Sequence, residues 1–519
     1  MLILGRGFKR ISPKIVLTAP ATEMSNHYGK IFAGFGACIS DPPFPPWFVK
    51  WLFYPPVKHH DGQADYAPYA LRKIEAVLLD SGFSETEVVT VHPDRLERVV
   101  DAETRAIGIT LMDPLGWGPT SLTFASIFNG KTATQAEFEK LIANPVLRRP
   151  NLKVIVGGPG VWQILQVKDW ENIFPFDTVV VGEGERVAGE LFHKAVNGEP
   201  LPKTVFAEDA DIELIRPIRR ASVGGLVEVS RGCGRQCQFC TPTLRGKRDM
   251  PLDLVAQEVR VNVRGGNRSI CLHAEDVLNY GSGPRNRFIP NHEKVMSLFK
   301  TALAEMPRPQ LGISHAALSS IAAAPKLVRD ISELLEVGKS KYAPLFGYQT
   351  GIETGSVRLL SKLMAGKALP FKPEQWPEIV VQAFGLSKDY GWVPAATLII
   401  GLPGETPEDL TATLELMDKL RDVPSFIIPQ FFMPMMETTL EKAPRFDVSQ
   451  MGEEHWKIML KCINHSVRWA NLLRTLYFKP EAFWLKALYW VGYRLLYLFA
   501  WLGGRATIKR LKLQLPKVE

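Results

Sequence analysis

Two hydrophobic rhythms run through this chain. Short, uninterrupted apolar runs rich in β-branched residues recur at 14–20, 87–91, 106–111, 153–156 and 178–181. Runs of that kind suit strands buried on both faces of a parallel sheet. Between the first two, 66–81 places Leu71, Ile74, Leu78 and Leu79 on one helical side, and Gly82 supplies a stop. After residue 225 the alternation becomes regular. Strand patterns at 225–230, 269–272, 311–313, 347–352, 395–400 and 426–432 are separated by helical ones at 252–263, 292–305, 326–337, 374–390 and 407–420. Strands that alternate with helices imply parallel sheets, whose ligands lie beyond the carboxyl ends of the strands.

Three segments break the rhythm. Residues 200–220 read as a linker between two α/β units. Residues 41–56, with Pro-Pro-Phe-Pro-Pro-Trp-Phe, are too proline-rich for one regular element; they would cap a pocket, receive an apolar substrate or pack as an irregular loop. A helical pattern at 453–476 is followed by 483–502, rich in Trp, Tyr and Leu but interrupted by Lys486 and Arg494. That stretch falls short of the roughly twenty apolar residues a spanning helix needs. With Arg505, Lys509, Arg510 and Lys512 behind it, residues 483–512 suit either peripheral contact with anionic lipid or a helix packed on the protein.

Length and composition narrow the class. A chain of 519 residues has room for about three or four domains. Its 46% hydrophobic and 22% charged residues describe a globular protein. The net charge of +8 suits an anionic partner, but no long basic run or nucleic-acid motif accompanies it, so nucleic acid is not the expected partner. Cys38, Cys271 and Cys462 stand too far apart to suggest a disulfide framework. Residues 1–14 lack the apolar core of a secretory signal. A cytoplasmic protein is expected, with the membrane periphery as its one alternative location.

The other three cysteines change the picture. Cys233, Cys237 and Cys240 fall within eleven residues, Ser230 to Cys240, in a CxxxCxxC spacing. Thiolates are the soft ligands that iron–sulfur clusters take, and three of them on a four-iron cube leave one iron for a ligand that is not protein. A zinc knuckle would want a second ligand pair nearby, which residues 241–248 do not offer. A disulfide with a spare thiol is the remaining alternative at this spacing. The motif, with Phe239 before its last cysteine, resembles the signature of the radical S-adenosylmethionine (SAM) superfamily. Gly351-Ile-Glu353-Thr-Gly355-Ser356 and Gly401-Leu-Pro403-Gly404-Glu405-Thr406 resemble that superfamily's SAM-proximal turns in its cobalamin-type members. Upstream, Gly157-Gly158-Pro159-Gly160 and Gly182-Glu183-Gly184-Glu185 resemble the turns that hold the cofactor's nucleotide tail in the cobalamin-binding domain preceding many such cores.

The resemblance implies an α/β fold: a Rossmann-like, cobalamin-binding-type parallel sheet domain at 1–205, a linker at 206–220, a radical SAM (βα)6 partial barrel at 221–441, and a mostly helical region at 442–519. It implies that Cys233, Cys237 and Cys240 ligate a [4Fe–4S] cluster whose open iron takes SAM. The candidate cofactor-binding residues are Gly157, Gly158, Gly160, Gly182, Glu183 and Gly184 for cobalamin, and Glu275, Glu353, Gly401 and Pro403 near SAM. For Glu275 and Glu353 a helix cap or a barrel salt bridge is the alternative. The loop after the first strand reads Ser25-Asn26-His27-Tyr28-Gly29, not the DxHxxG motif that supplies a lower axial histidine, so His27 reads as a loop histidine, with cobalt ligation as the alternative.

The implied activity is a cobalamin-dependent C-methylation at an unactivated carbon of a protein, peptide or lipid. An external electron donor such as a flavodoxin or ferredoxin would serve it. A radical SAM cyclase or C–C-coupling enzyme is the alternative, and a non-catalytic cobalamin or iron–sulfur sensor a further one. Methylthiotransferases need additional cysteines for a second cluster, and only Cys38 precedes the motif.

Overall fold

The computed structural model describes residues 12–27 and 31–477, with a few further positions between 490 and 502. The first layer is a six-stranded parallel sheet made of β1 (Ile15–Thr18), β2 (Val88–Thr90), β3 (Ala106–Thr110), β4 (Lys153–Gly157), β5 (Thr178–Gly182) and β6 (Thr204–Ala207). Their spatial order is β6-β5-β4-β3-β1-β2. Five of these strands are the apolar runs of the sequence. The sixth lies in the stretch read as a linker, where Pro200, Pro202, Lys203 and Glu208 hide a short edge strand whose Phe206 is 69% exposed. The order reverses between β1 and β3, and a ligand of such a sheet lies in the crevice at that switch point.

The second unit is a half-open barrel of β7 (Leu226–Glu228), β8 (Ile270–His273), β9 (Leu311–Ile313), β10 (Phe346–Glu353), β11 (Trp392–Ile400) and β12 (Phe426–Phe431). β7-β8-β9 and β10-β11-β12 each pair in parallel, and a bridge between His315 and Gln349 joins the halves. Burial alternates along β10 and β11. One set, including Tyr348 and Trp392, is sealed against the outer helices. The other, including Gln349, Gly351 and Thr397, keeps partial exposure on a hollow interior. A side chain facing packed helices is buried outright, so the alternation marks which face is empty.

An unclosed barrel leaves the backbone of an edge strand in need of partners. Two hydroxyls from other parts of the chain meet β12. Ile427 N–H donates to Ser466 of the helix Glu453–Tyr477, and Phe431 N–H donates to Thr123 at 2.7 Å. Thr123 sits on the helix Pro119–Phe128 of the first unit. Trp117, Ile127 and Trp162 of that unit pack into the barrel's core. The proline-rich segment is more regular than its composition suggests: Pro46–Phe53 is helical, with proline at its first position, where no N–H is needed.

The helix Tyr69–Asp80 joins the units through charge as well as through its apolar face. Lys73 is buried against Glu258 of the barrel helix Leu252–Arg264 at 2.6 Å, and Tyr69 donates to the same carboxylate at 2.7 Å. Arg72 donates to the Ala221 carbonyl and pairs with Glu75, which also meets Arg220. Removing one partner of a buried pair strands the other charge, typically costing about 3–5 kcal/mol. Glu258→Ala is therefore expected to destabilise by about that amount, read as a lowered denaturant midpoint. A loss below about 1 kcal/mol would mean that the pair behaves as a surface contact.

Candidate active site

The cysteines hang from a two-residue antiparallel ribbon. Ser230–Arg231 pairs with Arg248–Asp249 just beyond β7, closing residues 232–247 into a loop over the barrel mouth. The loop coils through left-handed positions at Gly232, Gly234 and Gln236. At Gly232 a Cβ would stand 2.7 Å from the carbonyls of Arg245 and Gly246, so only glycine fits. Arg235, between the first two cysteines, is a buried clamp. Its guanidinium donates to the Leu369 carbonyl and to Asp276, stacks 4.4 Å from the Phe288 ring centroid, and so pins the loop to the segment after β8.

All three cysteines are free thiols, Cys237 fully buried and the others partly. Cys240 lies close enough to feel the charge of both other cysteines, and Cys233 that of Cys237. Burial raises all three, Cys233 to about 11 and Cys240 well above its ordinary value. Metal coordination deprotonates such thiols. Among the described residues, no three His, Cys, Asp or Glu side chains converge on a single-ion position. Three soft donors carried by one loop suit the corners of a cube better than a mononuclear zinc site, which takes four protein ligands. The residues fit a [4Fe–4S] cluster with one iron left open.

Around the mouth stand the carboxyl ends of the barrel strands. Glu353 ends β10 with a left-handed backbone. Its carboxylate is fully engaged, accepting from Lys367 at 3.0 Å on one oxygen and from Thr397 at 3.0 Å on the other. A Cβ on Gly351 would come 1.7 Å from that carboxylate, which explains the first glycine of the motif: the carboxylate folds back over it. Burial opposes the Lys367 charge, but Glu353 and the thiols hold its pKa above the ordinary value. Glu275, beyond β8, is raised by burial, with His273 and Lys367 acting against the rise and Glu228 adding to it. Gly401 donates its N–H to Glu405 and lies against Phe446, where a Cβ would be 2.0 Å from the ring. Pro403 shares this turn, which ends in Thr406 capping the helix Pro407–Leu420.

Several site residues carried no sequence signal. His273 and His315 each place Nδ1 2.9 Å from the Ser314 hydroxyl, their rings edge to face across the interior. Burial holds both imidazoles low, His315 at about 4, so they are neutral near pH 7. His315, Lys367 and Thr397 emerge only once the strands are in register.

The glycine turns of the first sheet stand at the carboxyl ends of β4 and β5. Gly158 and Gly160 leave room for the backbone of Leu111 and Met112, and Gly182 for the carbonyl of Ala207. Gly184 abuts Ile74, whereas Gly157 has no neighbour nearer than 3.8 Å. At the β1/β3 switch point, Met112 N–H donates to Glu23 at 2.9 Å. His27 is buried with Nδ1 2.7 Å from the Phe53 carbonyl. Glu183 turns toward the cysteine ribbon. It meets Arg231 at 2.8 Å and Arg248 at 2.5 Å, while Glu185 and Glu228 take the rest of Arg231. Burial opposes the Glu183 charge, but the two arginines hold its carboxyl below the ordinary range. The carboxyl ends of the two sheets therefore face one another, bolted by ion pairs beside the cysteines.

This fold and cysteine loop define a radical SAM domain, and residues 227–417 match the family model of the Radical SAM superfamily. Among curated proteins the chain is similar to tRNA-2-methylthio-N(6)-dimethylallyladenosine synthases. It is 28% identical over 218 residues to that of Helicobacter pylori (strain Shi470), covering 39% of this chain and 43% of the relative. It is 28% identical over 331 residues to that of Chlorobium phaeovibrioides, covering 62% and 69%. The chain thus spans less than half of the first relative. Among solved structures it resembles the radical SAM methyltransferase TsrM of Kitasatospora setae, at 16% identity. The form with tryptophan substrate and aza-SAM has a TM-score of 0.54 over 82% of this chain and 74% of that one. The form with cobalamin and a [4Fe–4S] cluster has a TM-score of 0.52 over 82% and 77%. The likeness extends over both units and establishes the shared fold.

Gly351→Ala would drive the Glu353 carboxylate and Lys367 away from the thiols. A displacement on the 1 Å scale can cost on the order of a hundredfold in rate. Reductive formation of 5′-deoxyadenosine should fall by at least about tenfold while the cluster's visible absorbance persists. Wild-type rates in that variant would mean that the Glu353–Lys367 pair does not position the reaction.

Proposed function

We propose that this chain is a cobalamin-dependent radical SAM methyltransferase acting on an unactivated carbon. The observation that carries this reading is the face-to-face placement of the two sheets' carboxyl ends, with the cysteine loop between them. The β1/β3 crevice, the Gly157 turn and Glu23 would hold the corrinoid; Cys233, Cys237 and Cys240 would hold the cluster. When bound, the cluster and SAM would supply a carbon-centred radical, and the corrinoid would supply the methyl group.

The chain's own part is positioning and exclusion. Arg231 and Arg248 keep the cysteine ribbon against the first sheet. Lys367, oriented by Glu353 and Thr397, places a cation beside the thiols, where the anionic cluster and the SAM carboxylate would lie. His273 and His315, neutral and fixed by Ser314, offer hydrogen bonds to a substrate in the hollow barrel without presenting a charge. The likeness to TsrM, solved with cobalamin and a cluster, supports this assignment.

The curated relatives favour a second reading, methylthiolation of an adenosine in tRNA. Against it, Cys38 is the single cysteine before Cys233. Iron and corrinoid content separate the readings. After anaerobic reconstitution with iron, sulfide and cobalamin, the full chain should carry about four iron atoms, as one cluster requires. It should also retain a corrinoid spectrum through gel filtration. About eight irons without bound corrinoid would overturn the methyltransferase reading and support methylthiolation.

A further inference from the structure

The C-terminal positions the structure describes form an unusual helix. Residues 490–492, 494–495, 498–499 and 502 are helical. One side seats on the proline-rich helix: the Phe499 ring lies 5.2 Å from Phe48 and 6.3 Å from Phe44. Leu495 packs in the same cluster, and Gly492 lies against Leu52 and Trp51. The surface beside this seat is apolar too: Trp490 is 55% exposed, Leu498 46% and Leu502 48%, with Leu498 and Leu502 one turn apart. On the helix beneath, Trp47 is 65% exposed. A helix whose apolar surface extends beyond its seat on the protein meets a second apolar medium.

Charge identifies that medium. From residue 483 onward the sequence carries seven Lys or Arg and a single acidic side chain, Glu519. The Arg494 guanidinium lies 5.1 Å from the Trp490 ring centroid, within the apolar face. Protein–protein interfaces are depleted in lysine. A tryptophan-bearing apolar face flanked by basic residues is instead the pattern of a helix lying in the headgroup region of an anionic bilayer. Among the described residues no helix is long and apolar enough to cross a membrane.

We infer that this lobe, the helix Pro46–Phe53 with the C-terminal helix laid across it, docks the enzyme on an anionic lipid surface through Trp47, Trp490, Leu498 and Leu502. The inference does not depend on which methyl or sulfur group the enzyme transfers. It also gives the proline-rich segment a role, as the platform that presents the outer helix.

Vesicle flotation of the full chain tests it. The chain should float with phosphatidylcholine–phosphatidylglycerol vesicles, bind phosphatidylcholine alone far less, and release as salt is raised. Trp490→Ser with Leu498→Ser should weaken binding by at least about tenfold, since each buried apolar side chain contributes about that factor or more. Because both side chains are exposed, the variant should keep the wild-type circular dichroism and unfolding midpoint. If the variant misfolds, the lipid and salt dependence of the wild-type chain still decides. No binding to anionic vesicles, or equal binding to neutral ones, would overturn the inference. So would a concentration-dependent dimer that the double substitution disperses without any vesicle binding, because the occupant would then be a second copy of the chain.

Discussion

Two sheets can face each other across a reaction site only if something holds their ends together. Here that is the ion-pair lattice in which Glu183 and Glu185, just past β5, meet Arg231 and Arg248 of the cysteine ribbon. It is mostly shielded from water, so its geometry is more constrained than that of a surface pair. Glu183 also accepts from the Ala210 N–H, and Arg248 donates to the Ala210 carbonyl, so the chain crossing between the units is fixed by the same groups. The ribbon that carries Cys233 is thereby referenced to the first sheet, not only to the barrel below it.

Glycines serve the same end in a less obvious way. A glycine-rich turn beside a strand invites the interpretation that a ligand approaches the bare backbone. In this chain much of the vacated space is filled by the protein itself: Ala207 against Gly182, Met112 against Gly160, the Glu353 carboxylate against Gly351, Phe446 against Gly401. At Gly182 and Gly160 the missing side chain lets the ends of neighbouring strands approach, and at Gly351 it lets the strand's own Glu353 fold back. The turns shape the site's walls as much as they line it.

This distinguishes what could be read from the residues and what could not. Buried parallel strands advertise themselves by β-branched runs, so eleven of the twelve strands of the two main sheets lie where the hydrophobic pattern places them. The twelfth, β6, is a short edge strand with an exposed phenylalanine, and it carries no such signal. The cysteine spacing pointed to a cube because its ligands are adjacent in sequence. Lys367, Thr397 and His315 reach the same mouth from distant elements, and only the barrel's register brings them together. Glu183 was legible as a turn residue beside a candidate cofactor, but its partners lie 48 and 65 residues downstream. The proline run at 41–56 looked irregular because proline is counted against helices; at the first helical position that argument does not apply.

The proposed chemistry depends most on a cluster held by three thiolates with one iron open to SAM. Electron paramagnetic resonance of the anaerobically reconstituted, reduced chain tests that claim directly. The account predicts a [4Fe–4S] signal that changes when SAM is added, with hyperfine coupling to isotopic labels in the SAM amino and carboxylate groups. A signal indifferent to SAM, or a chain that takes up a single zinc ion in place of iron, would contradict it.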